Sequence, residues 1–302
     1  MLTAVLSLTG ALVFGAADFL GGLAAKRIGA VLATAVASLA GFVGLALATP
    51  LSGGEWTAAD LWWGAAAGLA GAVAIGLLYA CLAIGPMSIL SPLTAVVSAI
   101  VPMLWDFAAG ARLGPLAPWA LGLALVAVVL VGFVPERGAV RPSLTGIVMG
   151  VGSGTAIGAF FILIDRTSDD SGLAPLAVNC AVTAVVMFAV VGALALRSRA
   201  TQRTKQAGMP SADAPKDADP SARGRARGIR LAAVGGLVNA AANALLLFGI
   251  RAGELAVAAV LGAMYPAGTI LLAAIVLKER IAPVQWAGLV LALASAAMLA
   301  LA

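Results

Sequence analysis

Long apolar runs separated by short polar turns dominate the sequence. Cutting it at its charges and its Pro/Gly turns leaves ten runs of about 20 residues, the length that a helix needs to cross a bilayer. The runs are continuous rather than alternating, which favours helices over the strands of a barrel. The predicted spans are residues 2–25, 28–49, 61–83, 87–109, 117–134, 143–164, 174–196, 229–250, 255–277 and 283–301.

Composition agrees with this pattern. Of 302 residues, 62% are hydrophobic and 10% are charged, and the mean hydropathy is +1.08. Soluble domains carry about 25% charged residues. We therefore predict an all-α integral membrane protein of the cell membrane.

One segment interrupts the apolar pattern. Residues 197–230 hold nine Lys/Arg and three Asp, are rich in Ala, Pro and Ser, and lack apolar periodicity. This composition predicts a basic, flexible linker that helps to set the topology, with contact to anionic lipid as the alternative role. The whole positive excess of the chain lies in this segment, so the net charge gives no reason to expect nucleic acid as a partner.

The sequence repeats itself once. A shift of 168 residues sets LLYACLAIGPMS, from residue 77, against LLLFGIRAGELA, and GARLGP, from residue 110, against KERIAP. The fronts of the halves match more weakly at a shift of 136, where LTG recurs. The difference of 32 residues is close to the length of the basic segment, which is thus an insertion. We predict two five-helix repeats, residues 1–136 and 137–302.

An odd number of crossings per repeat inverts the second repeat relative to the first. Inverted repeats around a site at the membrane midplane are typical of secondary transporters with alternating access. By the positive-inside rule, the side with 15 Lys/Arg is cytoplasmic and the side with three is external. The linker is then predicted in the cytoplasm and both termini outside.

Small residues recur at every fourth position along two predicted spans. This spacing lets helix backbones approach closely, so it predicts tight packing rather than a ligand site. The stripes are Gly146, Gly150, Gly154 and Gly158 on the sixth span, and Gly64, Gly68, Ala72 and Gly76 on the third.

Two long segments carry a family resemblance. They are LLYACLAIGPMSILSPLTAVVSAIVPMLW with GARLGP, and AVAAVLGAMYPAGTILLAAIVLKERIAPVQWAGLVLALASA. With the ten-span pattern, they resemble the EamA-type branch of the drug/metabolite transporter superfamily, whose short Glu-Arg turn after a proline-bearing ninth span matches Lys278-Glu279-Arg280. The opening GAADFLGG also resembles the family's first span. The resemblance implies a ten-helix basket with a central cavity and transport, often export, of small metabolites, amino acids or drugs.

Asp18 is a carboxylate deep in the first span. It precedes Lys26 by eight residues, which is about 12 Å along a helix. Acids at such depth are costly and tend to face a cavity or a partner. Small residues share its helical face: Ser7, Ala11, Gly15, Gly22 and Ala25. We predict a proton-coupling or amine-binding site at Asp18; the alternative is a buried acid that locks the bundle.

Three amides and a tyrosine join Asp18 as predicted cavity residues. Asn239 and Asn243 are four apart and share one face of the eighth span, and Asn179 forms a weaker pair with Thr183 on the seventh. Tyr265 precedes a proline in the middle of the ninth span, where a kink suits a cavity wall. The alternatives are a hydrogen-bond clamp between helices for the amides and plain packing for the tyrosine.

Further polar residues lie near the predicted span ends. For Trp105-Asp106 the sequence favours an interfacial tryptophan beside a loop acid over a cation site. Arg251 and Glu254 are expected on a solvated rim, with a gate as the alternative.

Several functions are disfavoured by what the sequence lacks. The chain has no histidine, both of its cysteines lie in apolar runs, and there is no phosphate-binding loop of the G-x-x-x-x-G-K-[ST] type. We predict no catalytic residue, no metal and no cofactor. The prediction is a secondary transporter, acting as an exporter, with a small-molecule substrate and protons as the coupling ion. A lipid or polyprenyl-phosphate flippase is the first alternative and a membrane-embedded enzyme the second. No oligomeric state is predicted.

Overall fold

The computed structural model describes residues 1–84, 87–110, 114–132, 143–206, 220–276 and 282–301, and all regular structure in these ranges is helical. A 3₁₀ turn at Asp169–Ser171 joins α6 to α7. The α-helices are α1 (Leu2–Ile28), α2 (Ala30–Ser52), α3 (Ala58–Ile84), α4 (Met87–Ala108), α5 (Ala117–Gly132), α6 (Leu144–Asp165), α7 (Ala174–Gln206), α8 (Pro220–Arg251), α9 (Leu255–Gly262), α10 (Tyr265–Val276) and α11 (Pro283–Leu301).

Seven segments of the described chain are long and apolar enough to cross a membrane. They coincide with predicted spans one, two, three, six, seven, eight and nine, the ninth being formed by α9 and α10 together. The other three predicted spans contain shorter apolar helical stretches: Leu93–Ala108, Ala117–Val131 and Pro283–Met298. The all-helical integral membrane class is therefore confirmed, while ten crossings stay a prediction.

The basic segment 197–230 differs from the flexible linker that we predicted. Helix α7 continues to Gln206 and α8 begins at Pro220, so both ends of the segment are helical and the prediction is wrong for them. Alanine and arginine are strong helix formers, and a helix that is already nucleated in the membrane extends at little cost. Residues 207–219 lie outside the described residues.

The two sequence halves interdigitate. The most extensive helix contacts in the described chain all join a helix before residue 143 to one after it. Helix α1 packs on α8 and α10, α2 on α7 and α8, α3 on α6 and α7, α4 on α6 and α9, and α5 on α11. The halves therefore form one bundle rather than two adjacent domains.

The glycine stripe of α6 packs as predicted. A Cβ atom built on Gly154 would lie 2.7 Å from the Thr94 carbonyl oxygen of α4. One built on Gly158 would lie 2.7 Å from Val101 Cβ, so α4 leaves no room for side chains there.

The stripe of α3 is only partly a packing surface. Cβ atoms on Gly64 and Gly68 would lie 2.5 Å from the Pro175 carbonyl oxygen and 2.6 Å from that of Asn179, both on α7. A Cβ atom on Gly76 would meet nothing within 4 Å. The packing role is thus confirmed for the first two glycines and is wrong for Gly76.

Helix α9 lies at the centre of the bundle. All eight of its residues are buried, because the segment is apolar on every side. It ends one turn before Pro266, and α10 resumes at Tyr265. Since proline has no N–H, it cannot donate to the Gly262 carbonyl four residues earlier. The ninth span is therefore a broken helix with backbone polar groups near its middle.

Candidate functional site

A cavity of about 240 Å³ lies among seven helices and the break between α9 and α10. Small-molecule sites usually measure roughly 300–1,000 Å³, so its occupant is small. The structure brings all five residues predicted from the sequence to its wall: Asp18, Asn179, Asn239, Asn243 and Tyr265. These residues come from four helices, and their role in function stays a prediction.

Asp18 reaches the cavity from α1. Among the described residues that line the cavity, it is the only one with a formal charge. Its side chain is exposed although its neighbour Ala17 is buried. Because Asp18 lines the cavity, this exposed surface is available to an occupant. Phe14, one helical turn earlier on the same face, also lines the cavity.

Tyr265 lines the same cavity from α10. A contact between the two backbones holds α10 close to α1. A Cβ atom on Gly15 would lie 2.5 Å from Gly268 Cα, and the Thr269 hydroxyl donates to the Gly15 carbonyl at 3.2 Å. Asp18 and Tyr265 each lie one turn from this contact. Both side chains therefore line the cavity near the same helix contact.

The two asparagines of α8 lie on one face, as predicted. Asn243 is buried, and its Nδ2 donates to the Asn239 carbonyl oxygen at 2.9 Å. This hydrogen bond lies within α8, so it is not the interhelical clamp that was the alternative. A Cβ atom on Gly235 would lie 3.2 Å from Leu20 Cβ of α1, which shows how closely α8 approaches α1 beside the asparagines.

Thr183 rather than Asn179 ties α7 to α3. The Thr183 hydroxyl donates to the Gly68 carbonyl at 3.0 Å, and the Asn179 Oδ1 lies farther away, at 3.4 Å. Both residues are buried and both line the cavity. The interhelical role weighed for this pair thus belongs to the threonine.

Nothing in the sequence indicated the apolar wall of the cavity. Phe160 and Phe161 of α6 line it, with ring centroids 5.4 Å apart and planes at 61°. Phenylalanine is common on lipid-facing surfaces, so its presence in a span does not mark a cavity. Cys180, expected to be a small core residue, is buried but also lines the cavity.

Arg251 is not the solvated rim residue that we expected. It is half-buried at the end of α8, and its guanidinium donates to the carbonyls of Ser168 at 2.9 Å and Gly172 at 3.0 Å, and to the Ser171 hydroxyl at 2.7 Å. All three acceptors belong to the connection between α6 and α7. The prediction is wrong because the sequence does not show that this connection folds back onto α8.

Asp60 holds the same connection from the other side. Its carboxylate accepts from the backbone N–H groups of Thr57 and Ser168, both at 2.7 Å, and it is buried. We call Asp60, Arg251 and the connection 166–173 the loop clamp. The loop clamp joins the start of α3, the end of α8 and the link from α6 to α7 at one end of the bundle.

Trp105 and Asp106 have partners within the protein. Asp106 Oδ2 accepts from the Ala256 N–H at 2.8 Å and so caps the start of α9. The Arg166 guanidinium carbon lies 5.3 Å from the centroid of the Trp105 ring. The cation beside Trp105 is therefore Arg166, a residue of the protein itself.

The Lys278-Glu279-Arg280 turn, which carried part of the family resemblance, lies outside the described residues.

The family model of the EamA-like transporter family matches residues 144–301, slightly more than half of the chain. The chain belongs to this family, within the drug/metabolite transporter superfamily, and the resemblance inferred from the sequence is confirmed.

Solved structures share the fold, and one of them illustrates the likeness. It is described as "Crystal structure of protein", is 17% identical, and aligns with a TM-score of 0.70 over 99% of this chain and 98% of the other. At this identity the likeness concerns the fold alone. No curated protein matches.

Proposed function

We propose that this protein is a secondary transporter that exports a small metabolite, amino acid or drug across the cytoplasmic membrane by alternating access. The observation that carries the proposal is the convergence of Asp18, three amides and Tyr265 on one small cavity inside an apolar bundle. Polar groups are costly inside a membrane and are usually kept there for a function.

The pattern of helix contacts supports two inverted repeats of five spans. Each helix of the first repeat can be paired with a counterpart in the second, and the two members of each pair can then be exchanged. The pairs are α1 and α6, α2 and α7, α3 and α8, α4 and the broken α9–α10, and α5 and α11. The contact of α1 with α8 then becomes that of α6 with α3, and the contact of α2 with α8 becomes that of α7 with α3. Such an exchange is what alternating access requires, because each half must be able to take the arrangement of the other.

The loop clamp supports a gate at one end. The hydrogen bonds of Arg251 and Asp60 hold the end of α8 and the start of α3 to the connection between α6 and α7. Hydrogen bonds of this kind exchange readily with water when a gate opens. By the charge count this end is external, so opening of the loop clamp would release an exported substrate outside the cell.

The cavity wall argues against the two alternatives. A polyprenyl-phosphate flippase needs cations for the phosphate, but no described lining residue is Lys or Arg. Intramembrane acid chemistry needs a second acid near Asp18, and no other described lining residue is acidic. Transport of a substrate that is not an anion fits the wall better.

The test is solute-driven proton flux in liposomes. Purified protein is reconstituted with a pH-sensitive dye inside, and a panel of amino acids and amines is added outside. We expect flux with the wild type and none with Asp18→Asn. Glu55→Gln is the matched control, since Glu55 is an exposed loop acid outside both the cavity wall and the loop clamp. Equal flux in wild type and Asp18→Asn would reject Asp18 as the coupling group, and no flux or uptake of any solute would reject the transporter.

A further inference from the structure

We propose that the cavity selects a primary monoamine with a compact aromatic or aliphatic body, in preference to an amino acid or an acid. The ammonium group is placed at Asp18, and the body against the phenylalanines of α1 and α6. The inference rests on the proposed transport function only in that the amine that the cavity selects would be the molecule exported. The selectivity follows from the groups that line the cavity.

The charge of the wall points to a cation. Asp18 carries the only formal charge among the described lining residues. An ammonium group would neutralise it inside the membrane, where an unpaired charge is costly. The carboxylate of an amino acid would introduce a second negative charge with no cation in the described wall to balance it.

The hydrogen bonds of the wall point the same way. Three donors of the lining already serve backbone carbonyls: Asn243 Nδ2 at 2.9 Å, the Thr183 hydroxyl at 3.0 Å and the Ser98 hydroxyl at 2.8 Å. A hydroxyl has one proton to give, so neither Thr183 nor Ser98 can donate to a ligand without losing its present bond. The donors that remain in the lining are neutral, so none can balance the charge of a substrate carboxylate beside Asp18. They are the amides of Asn179 and Asn239 and the hydroxyls of Ser38 and Tyr265.

Acceptors, in contrast, are present on several sides. The Asp18 carboxylate can accept several hydrogen bonds, and a primary ammonium has three N–H groups to place. Gly262 lines the cavity, and its carbonyl lacks the intrahelical donor that any residue except proline would supply at position 266. The broken helix thus leaves a carbonyl group of the cavity wall without its usual intrahelical donor.

The rest of the wall fits a compact apolar body. Phe14, Phe160 and Phe161 line the cavity together with Ile75 and Leu78. Phe14 lies one turn from Asp18, so a single small molecule can reach both the carboxylate and the ring. Aromatic faces also attract ammonium groups. A cavity of about 240 Å³ suits a compact molecule better than a large polycyclic drug.

The test compares ligands that share a phenyl ring and differ in the polar group attached to it. Binding of 2-phenylethylamine, 2-phenylethanol, phenylalanine and phenylacetate is measured by calorimetry on the full chain in lipid nanodiscs. We expect the amine to bind about 10- to 100-fold tighter than the alcohol, the effect of a hydrogen bond to a charged group. Phenylalanine and phenylacetate are expected to bind no better than the alcohol.

Variants connect the preference to the residue. Asp18→Asn should reduce the affinity for the amine to that for the alcohol, whereas Asp18→Glu and the loop control Glu55→Gln should retain the preference. Because Asp18→Asn could fail to fold, each variant is first compared with the wild type by its elution profile and thermal denaturation. If Asp18→Asn does not fold, loss of the preference in Asp18→Glu would reject the proposal.

The two proposals can fail separately. Equal or tighter binding of phenylalanine overturns the monoamine preference, even if liposomes transport phenylalanine and the transporter stands. An amine preference that survives in Asp18→Asn also overturns it. Preferential binding of the amine without movement of any solute would support the cavity chemistry and reject the transport function.

Discussion

Gly15 of α1 and Gly268 of α10 meet with no side chain between them, one helical turn from Asp18 and Tyr265. A Cβ atom on Gly268 would lie 3.1 Å from Gly15 Cα and 2.5 Å from the Leu12 carbonyl oxygen. Backbone atoms cannot move aside as a flexible side chain can. The distance between the acid and the tyrosine across the cavity is thus fixed by this glycine pair.

Replacement of Gly268 with alanine should separate α1 from α10. We expect a loss of stability of about 1–3 kcal/mol, the usual cost of overpacking, and a loss of substrate-driven proton flux. Thermal denaturation in detergent and the liposome assay measure the two effects. The control is Gly122→Ala on α5, where a Cβ atom would meet nothing within 4 Å. If Gly268→Ala and Gly122→Ala behave alike, the contact is not needed.

Pro266 keeps the ninth span broken. In Pro266→Ala, the new N–H can donate to the Gly262 carbonyl, so α9 and α10 can join. We expect unchanged or raised thermal stability together with a several-fold slower proton flux, because the cavity loses an acceptor and the span loses a hinge. Pro283→Ala at the start of α11 is the matched control, since Pro283 does not line the cavity. Unchanged flux in Pro266→Ala would contradict a role for the break.

The site was more predictable than its surroundings. Asp18 and the asparagines stand out in the sequence because a polar side chain is costly in lipid and needs a partner or a cavity. The position of the break was also indicated by Pro266, although α9 ends one turn before the proline. These signals are local, so one sequence suffices to read them.

The parts that escaped prediction depend on contacts distant in sequence. The hydrogen bond between the Ser168 N–H and Asp60 joins residues 108 positions apart, and the bonds of Arg251 span about 80. No spacing rule links such residues. The helical ends of the segment 197–230 were missed for another reason, since a charged, proline-bearing composition was given more weight than the helix propensity of its Ala and Arg residues.

The orientation of the bundle can be tested by labelling. Glu55 lies at the same end of the bundle as the loop clamp, and Arg223 lies near the start of α8 at the opposite end. Both residues are exposed. In a Cys81→Ser background, Glu55→Cys should react with a membrane-impermeant maleimide on intact cells, whereas Arg223→Cys should react only after permeabilisation. The buried Cys180 alone gives the background signal. The reverse labelling pattern would place the termini and the loop clamp in the cytoplasm.

The loop clamp should control access to the cavity. Arg251→Lys keeps the charge, but the compact ammonium cannot reach acceptors on both sides of the connection as the planar guanidinium does. We expect faster backbone hydrogen exchange across residues 167–173, and a population shifted toward the state open at this end. Ser168 should change least of these, because its N–H still donates to Asp60 although its carbonyl loses Arg251. Arg223→Lys is the control, since Arg223 is exposed at the opposite end of the bundle. Equal backbone hydrogen exchange in the two variants would show that Arg251 does not hold the connection in place. The gate would then have to lie at the other end of the bundle.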